Sequence, residues 1–285
     1  MYGPTELGRH LLDLPQLHRL LQQPPRHLGV LPEWSGIRPR FQIQWVEETT
    51  STNQALMAQM TQGAAAGTVF IAATQRAGRG QWGRLWQSPP GGLYLSLGLR
   101  PEITAPYSLY LTLASAWGLA TSFENLGFPV QVKWPNDLVV GGRKLGGILV
   151  DTRVQGERVQ AAVVGLGLNV DNPVPPTGIA LRDGHNHSET HPTPLNTLEG
   201  VAAVALYGLM QGYSAWQSLG NSAFLGHYQR RMAHLGQTVV VNQQVATIVG
   251  IAPSGNLLVR MALEADGAPA SVEVQPGEVT LGYNA

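Results

Sequence analysis

Apolar and polar positions along the chain change period several times, and each period predicts an element. Leucines at 11, 14, 17, 20 and 21 share one face of a short amphipathic helix. Pro24, Pro25, Pro32 and Pro39 interrupt regular structure after it. Phe41, Ile43 and Trp45 alternate with polar residues as in a half-buried strand. Ser51 stands three residues ahead of Gln54, the pattern of a capping box, and predicts a helix to about Gln62 with Gly63 as its stop. Residues 68–74 and 92–99 read as buried strands with a glycine-rich loop between them. Over 106–126, Leu109, Leu113, Trp117 and Ala120 mark one face of the best helix in the chain, which Gly127 ends.

A short strand over 130–134 should end at Pro135, which forces the chain out of the sheet, with Asn136 and Asp137 in a turn. Apolar stretches at 145–151 and 160–169 predict neighbouring, paired strands. A polar, proline-rich loop over 171–194 leads to two helices at about 195–217 and 221–235. After Gly236 come short strands at 239–241, 245–251 and 257–263, with turns at 253–255 and 266–267. The expected architecture is α+β: an extension over 1–40, a mixed α/β domain over 41–235, and a small β barrel over 236–285. The extension should pack on the main domain or form a partly disordered arm. Residues 1–40 are too short and proline-rich for a winged helix-turn-helix. No internal repeat is found.

Composition narrows the function classes. A length of 285 residues fits about two domains. Eighteen basic and eighteen acidic side chains cancel, so no basic excess points to nucleic acid or a membrane surface. With 34 glycines and 20 prolines the chain favours tight turns over a helical bundle. The absence of cysteine removes disulfides, thiolate metal sites and a cysteine nucleophile, and fits a reducing cytoplasm. No apolar run suits a membrane span and no secretory leader is evident, so a cytoplasmic location is expected.

Two stretches carry candidate chemistry. Gly78, Gly80 and Gly83 have the spacing G-x-G-x-x-G, but Trp86-Gln-Ser-Pro-Pro90 follows where a dinucleotide fold needs a helix. Glycines here let backbone N–H groups approach a ligand, Arg79 and Arg84 add forked cationic donors, and Trp82 and Trp86 offer flat faces to a purine. The plainer reading is a mobile hairpin loop with solvated arginines. In Lys133-Trp-Pro-Asn-Asp137 an ammonium closes an apolar strand, a costly position unless it faces an anionic partner. The alternative is a snorkelling lysine beside an ordinary turn. Lys144, in Arg143-Lys-Leu-Gly-Gly147, is a second cation on a turn. Ser51, Thr52 and Asn53 cap a helix and, facing a cleft, would also meet a ligand; Gln75 has the same ambiguity. His185, His187 and His191 lie in a polar loop without paired acids and give little support for a metal. Neither a Ser-His-Asp order nor a nucleophile elbow occurs.

Together these segments resemble the biotin protein ligase family: Thr50-Ser-Thr-Asn-Gln54, the stretch Gln75 to Trp86 with Ser88-Pro89, Gly92-Leu-Tyr-Leu-Ser96, Lys133 to Asp137, Lys144-Leu-Gly-Gly-Ile-Leu149 and Gly165-Leu-Gly-Leu-Asn169. The matching pieces span about 41–170, and the terminal barrel fits the family plan. The resemblance implies a class II synthetase-like catalytic domain followed by an SH3-like barrel. It implies two steps: biotin and Mg-ATP form biotinyl-5′-adenylate, then a lysine of the biotin carboxyl carrier domain of acetyl-CoA carboxylase attacks it. By position, Ser51, Thr52, Asn53 and Gln75 resemble biotin-pocket contacts. Gly78, Arg79, Gly80, Gln81 and Gly147 resemble residues around biotin and the adenylate, with Arg84 near phosphate. Trp86 resembles the aromatic packed on adenine, Lys133 the lysine on the carbonyl and phosphate oxygens, and Lys144 and Asn169 further nucleotide-side groups. Many members have arginine where this chain has Gln81, which would either loosen retention of the adenylate or rest it more on Arg79 and Arg84. Residues 1–40 lack the DNA-binding domain of repressor members, so a ligase alone is expected. Neither nucleic acid nor membrane is an expected partner; a homodimer stays open, as do a lipoate ligase and a non-catalytic homologue.

Overall fold

The computed structural model describes residues 12–184, 193–261 and 271–283. Helix α1 (Leu14–Leu21) begins the described chain, with Asp13 as its cap, accepting from the Gln16 N–H at 2.9 Å. Strand β1 (Gln42–Thr49), helix α2 (Thr52–Thr61), strands β2 (Thr68–Gln75) and β3 (Leu93–Leu99) and helix α3 (Ser108–Asn125) follow. Next come β4 (Gln131–Lys133), β5 (Asp137–Val140), β6 (Arg143–Gln155), β7 (Arg158–Leu168), the short α4 (Leu181–Gly184) and the long α5 (Leu198–Gln229).

Strands one to seven form one sheet in the order β1-β2-β3-β7-β6-β5-β4, with β1 and β2 parallel and every other neighbouring pair antiparallel. Side chains alternate across a sheet. On one face Val69, Ile71, Leu95, Ala162, Val164 and Leu166 pack with α3 and α5 in the main core. On the other, Phe70, Ala161 and Val163 bury Leu56 and Met60 of α2. The sheet is thus sandwiched, with α2 covering the second face at this end.

Three expectations are corrected. The strand ends before Pro135 and residues 134–136 turn, but Asp137 is not in the turn: it opens β5 and pairs with Lys133 in a tight hairpin. The two helices of the later chain meet at Gly220, whose backbone (φ 72°, ψ 173°) breaks α5, and the second ends at Gln229 rather than 235. Part of the polar loop is helical, as α4. The triad His185, His187 and His191, Leu11, the end of the strand placed to 263 and the turn at 266–267 lie outside the described residues.

The described part of the N-terminal extension is packed. Leu17 and Leu28 are buried in the main core, on α5 and its neighbours. Backbone groups are met by side chains: Glu199 accepts from the Asp13 N–H at 2.8 Å, and Gln211 from the Leu31 N–H at 2.6 Å. Gly29 (φ 78°) lies against the Ser122 carbonyl, where a β-carbon would overlap it.

A second, four-stranded antiparallel sheet completes the chain: β8 (Thr238–Val241), β9 (Gln244–Ile251), β10 (Leu257–Met261) and β11 (Ser271–Val274), in the order β11-β10-β9-β8. The Tyr110 hydroxyl donates to the Pro253 carbonyl at 2.6 Å and the Trp134 indole N–H to the Gly255 carbonyl at 3.1 Å. Gly255 rests on Leu109 and Leu113. Trp134, inside the lysine motif, therefore anchors this sheet.

Candidate active site

The face that carries α2 changes character along β7. Ala161 and Val163 support the helix, and Gly165 and Gly167 continue the same face without side chains. A β-carbon at Gly165 would overlap the Asn53 carboxamide oxygen, and one at Gly167 the Trp86 indole. Gly147 of β6 lies opposite Gly167, and Leu149 opposite Gly165. The missing side chains leave a cavity of about 140 Å³.

One end of the cavity is uncharged and polar. Ser51 is 2% exposed and precedes α2, but its side chain makes no cap bond, so the expected capping box does not form. Gln75 supplies the substitute: its Oε1 accepts the Thr52 N–H at 2.9 Å and hydroxyl at 3.2 Å, while its Nε2 donates to Ser88 at 2.8 Å. Ser96 donates to the Asn53 Oδ1 at 2.6 Å, and Asn53 donates to the Leu149 carbonyl at 3.0 Å and to Asp151 at 2.9 Å. Buried polar groups tied this way hold fixed orientations.

The other end is cationic. Residues 75–88 form a hairpin, with Gln75 bridged to Ser88 and Arg79 to Leu85. Its tip turns at Trp82 (φ 59°) and Gly83 (φ 72°), the paired positive φ of a tight hairpin. Arg79, Gly80, Gln81, Arg84 and Trp86 line the cavity. Arg79 pairs with Asp151 at 3.6 Å and stays 44% exposed. The Trp86 indole N–H is buried and has no acceptor among the described residues. A buried donor left without a partner costs about 1–3 kcal/mol, so this edge is a place for a ligand oxygen.

The whole chain contains just two lysines, Lys133 and Lys144, and both pair with Asp137. Lys144 Nζ is 2.7 Å from Asp137 Oδ1 and 5.3 Å from the Trp86 ring centroid, and it lines the cavity. Lys133 Nζ is 3.8 Å from Oδ2. Lys133 does not line that cavity; it borders a second space of about 480 Å³ between the hairpin and residues 276–281, which Gln81 and Arg84 share. Burial pushes the Lys133 ammonium down to about 8, a fall that Asp137 opposes and Lys144 and Arg84 reinforce.

The structure therefore gathers Ser51, Thr52, Asn53, Gln75, Arg79, Gly80, Gln81, Arg84, Trp86, Lys144 and Gly147 around one cavity, with Lys133 behind them. Gly78 is not in the lining; it makes room for the Trp86 carbonyl and the Ser88 hydroxyl. Asn169 is also outside, donating to the Lys144 carbonyl at 3.3 Å and accepting from Asn172 at 3.0 Å. Sequence reasoning missed Asp137, read as a turn residue although it stands four places from a cation, and Tyr283, whose hydroxyl donates to Asp137. Nothing local marks Tyr283. Among the described residues no three His, Asp or Glu side chains cluster as a metal site, and no helix is long and apolar enough to cross a membrane.

Comparison with known proteins places this geometry. A family model, "Biotin/lipoate A/B protein ligase family", matches residues 45–169. The bifunctional ligase/repressor BirA of Bacillus subtilis is 38% identical over 107 residues, 37% of this chain and 33% of that protein. The biotin–[acetyl-CoA-carboxylase] ligase of Paracoccus denitrificans is 29% identical over 232 residues, 74% of this chain and 91% of that protein. The structure of a biotin protein ligase from Aquifex aeolicus in complex with biotin and ATP superposes with a TM-score of 0.60 at 25% identity, covering 85% of this chain and 99% of that one. The chain spans about a third of the length of the B. subtilis relative that it matches. The matched segment runs from β1 through the Gly165-Leu-Gly-Leu-Asn169 motif and so contains most of the cavity wall: over it the chain matches the biotin/lipoate protein ligase family, and the relatives it is similar to are named as biotin ligases.

Proposed function

We propose that the chain is an ATP-dependent biotin protein ligase, joining biotin to ATP as biotinyl-5′-adenylate and passing the biotinyl group to a lysine of a biotin carboxyl carrier domain. The observation that carries this reading is one cavity with an uncharged hydrogen-bonding end and a cationic end. Biotin has the same polarity: a neutral ureido ring that donates and accepts, an apolar body, and a carboxylate. Ser51, Thr52, Asn53 and Gln75 suit the ureido ring, Leu149 and Gly165 the body, and Arg79, Arg84 and Lys144 the carboxylate and α-phosphate. A lipoyl dithiolane neither donates nor accepts well and would leave the buried polar end unpaired, which disfavours a lipoate ligase.

In the first step a carboxylate oxygen attacks the α-phosphorus, a new O–P bond forms, and pyrophosphate leaves with the electrons of the broken Pα–O bond. Two anions must approach, and fixed cations offset their repulsion. Arg79, Arg84 and Lys144 supply that charge at the cavity wall, and Lys133 supplies it from the second space. Trp86 gives a flat face for adenine. In the second step the carrier amine attacks the acyl carbon and AMP departs. The loop of residues 78–86 excludes water from the anhydride meanwhile.

Mg²⁺ accompanies ATP in the expected chemistry, but among the described residues no cluster of acidic or histidine side chains builds a site for it. Asp137 has both oxygens engaged by Lys144, Lys133 and Tyr283. A metal carried on the nucleotide phosphates needs no such site, and no step is routed through it. The division into a catalytic unit over 41–235 and an SH3-like barrel over 236–285 is part of the same proposal; the four-stranded antiparallel sheet supports it. The deciding experiment mixes the chain with biotin, Mg-ATP and a carrier domain and weighs the carrier. A gain of one biotinyl group is expected; an unchanged mass, with no biotin-dependent exchange of labelled pyrophosphate into ATP, overturns the reading.

A further inference from the structure

The two lysines are not equally open to a ligand. Lys144 faces the cavity, and its side chain is 28% exposed. Lys133 is 7% exposed, and its Nζ lies 3.1 Å from the centroid of the Tyr283 ring. The Tyr283 hydroxyl donates to Asp137 Oδ2, the oxygen that also pairs with Lys133. Ammonium, ring and carboxylate thus close on one another, and the ring covers one face of the Lys133 ammonium.

Tyr283 ends a segment held at two further points. The Trp82 ring, at the tip of the hairpin, lies against Gly277, where a β-carbon would be 2.9 Å from it. His234 hydrogen-bonds the Gly282 backbone. Residues 276–281 form one wall of the second space, and Gln81, Trp82, Arg84 and Lys133 form the others. The segment therefore touches both the hairpin tip and the buried lysine.

We propose that Tyr283 is an active-site residue that sets access to Lys133: its ring holds the face of the ammonium that a phosphate oxygen must take, and yields it when polyphosphate binds. A charge-assisted hydrogen bond to phosphate is stronger than contact with a neutral ring, so a polyanion displaces the phenol where a weakly charged ligand does not. Asp137 keeps both lysines as partners after the hydroxyl leaves. The ligand belongs to the reading of the site as a nucleotide-dependent ligase; the cap itself rests on contacts within this chain. Apparent affinity for ATP is reduced by the fraction of molecules in which the cap is closed.

The chain's two lysines make the test direct. The 285-residue protein is treated with acetic anhydride, and acetylation at Lys133 and Lys144 is followed by peptide mass spectrometry. In the unaltered protein Lys144 acetylates and Lys133 is protected. Tyr283→Ala and Tyr283→Leu, two variants of different volume, should each acetylate at Lys133 at least ten-fold faster. Tyr283→Phe, which keeps the ring, should protect Lys133 to within about three-fold of the unaltered protein. ATP added to the unaltered protein should expose the tyrosine, read as a change in its fluorescence that Lys133→Met abolishes. The Ala variant should lower the KM for ATP several-fold and leave that for biotin unchanged. Equal acetylation of Lys133 with and without the Tyr283 ring, in protein that still exchanges pyrophosphate, overturns the cap alone. Protection by Tyr283 in protein that exchanges no pyrophosphate upholds the cap and overturns the ligase reading.

Discussion

Gly165 of β7 lies directly beneath Asn53 of α2, so close that a β-carbon would overlap the Asn53 carboxamide oxygen. That oxygen is not free to move, because Ser96 donates to it at 2.6 Å and the amide nitrogen is tied to Leu149 and Asp151. Gly165→Ala should therefore cost about 1–3 kcal/mol by overpacking. It should weaken biotin binding at least ten-fold, since Asn53 sits at the polar end of the cavity. Calorimetric titration with biotin, beside thermal unfolding, checks both.

Lys144 is the lysine that touches the cavity. Lys144→Met should lower biotin-dependent pyrophosphate exchange by about 10² or more, the scale of removing one preorganised donor to a transition-state oxyanion. Lys133→Ala should also cut adenylate formation by orders of magnitude while the fold survives. Wild-type-like turnover in either variant removes that lysine from the mechanism.

The depressed Lys133 value sets a pH dependence with a definite sign. Burial favours the neutral amine in the folded chain, so Lys133 loses its proton near pH 8, below the unfolded value. Between the two values the unfolded chain binds more protons, and folding stability gains from Lys133 as pH rises through that window. Activity changes the other way, because the Lys133 charge that offsets the phosphate is lost. The kcat/KM for ATP should fall above about pH 8 while stability does not, and parallel rate and unfolding profiles test the opposition.

Trp134 ties the lysine hairpin to the second sheet through the Gly255 carbonyl at 3.1 Å. Trp134→Phe leaves that buried carbonyl unpaired and should destabilise the chain by about 1–3 kcal/mol. Urea unfolding measures the loss, and earlier proteolysis after residue 236 would show that it falls on the second sheet.

Leu17 of α1 is fully buried in the main core, away from the cavity. Leu17→Ala should cost about 2–5 kcal/mol and leave the KM for biotin and ATP unaltered. A changed KM would mean that the extension reaches the site.

Most elements were legible because their signals are local. Alternation at Phe41, Ile43 and Trp45 marked β1, and Gly63 and Gly127, both with positive φ, ended α2 and α3 where expected. The misses have a common cause. Ser51 and Gln54 satisfy the capping-box pattern, but Gln75, at the end of β2, took the helix N-terminus instead. Asp137 looked like a turn residue because the flanking strands, three and four residues long, are too short to show a period.

The chain's own order of residues set cations beside tryptophans in two motifs, one of them glycine-rich, and hence the expectation that anions are handled there. Residue type and spacing are enough for that, since turn chemistry and side-chain period act over a few positions. Which lysine faces the cavity was decided only by folding, when β4, β5 and β6 brought Lys133 and Lys144 to the same carboxylate. So was the part played by Gly165 and Gly167, whose missing side chains matter because α2 and the hairpin cross that face. Tyr283 is the clearest case: 146 residues separate it from Asp137, and packing of the second sheet on the first brings them together. Contacts at that separation depend on strand order and docking, which no local pattern encodes.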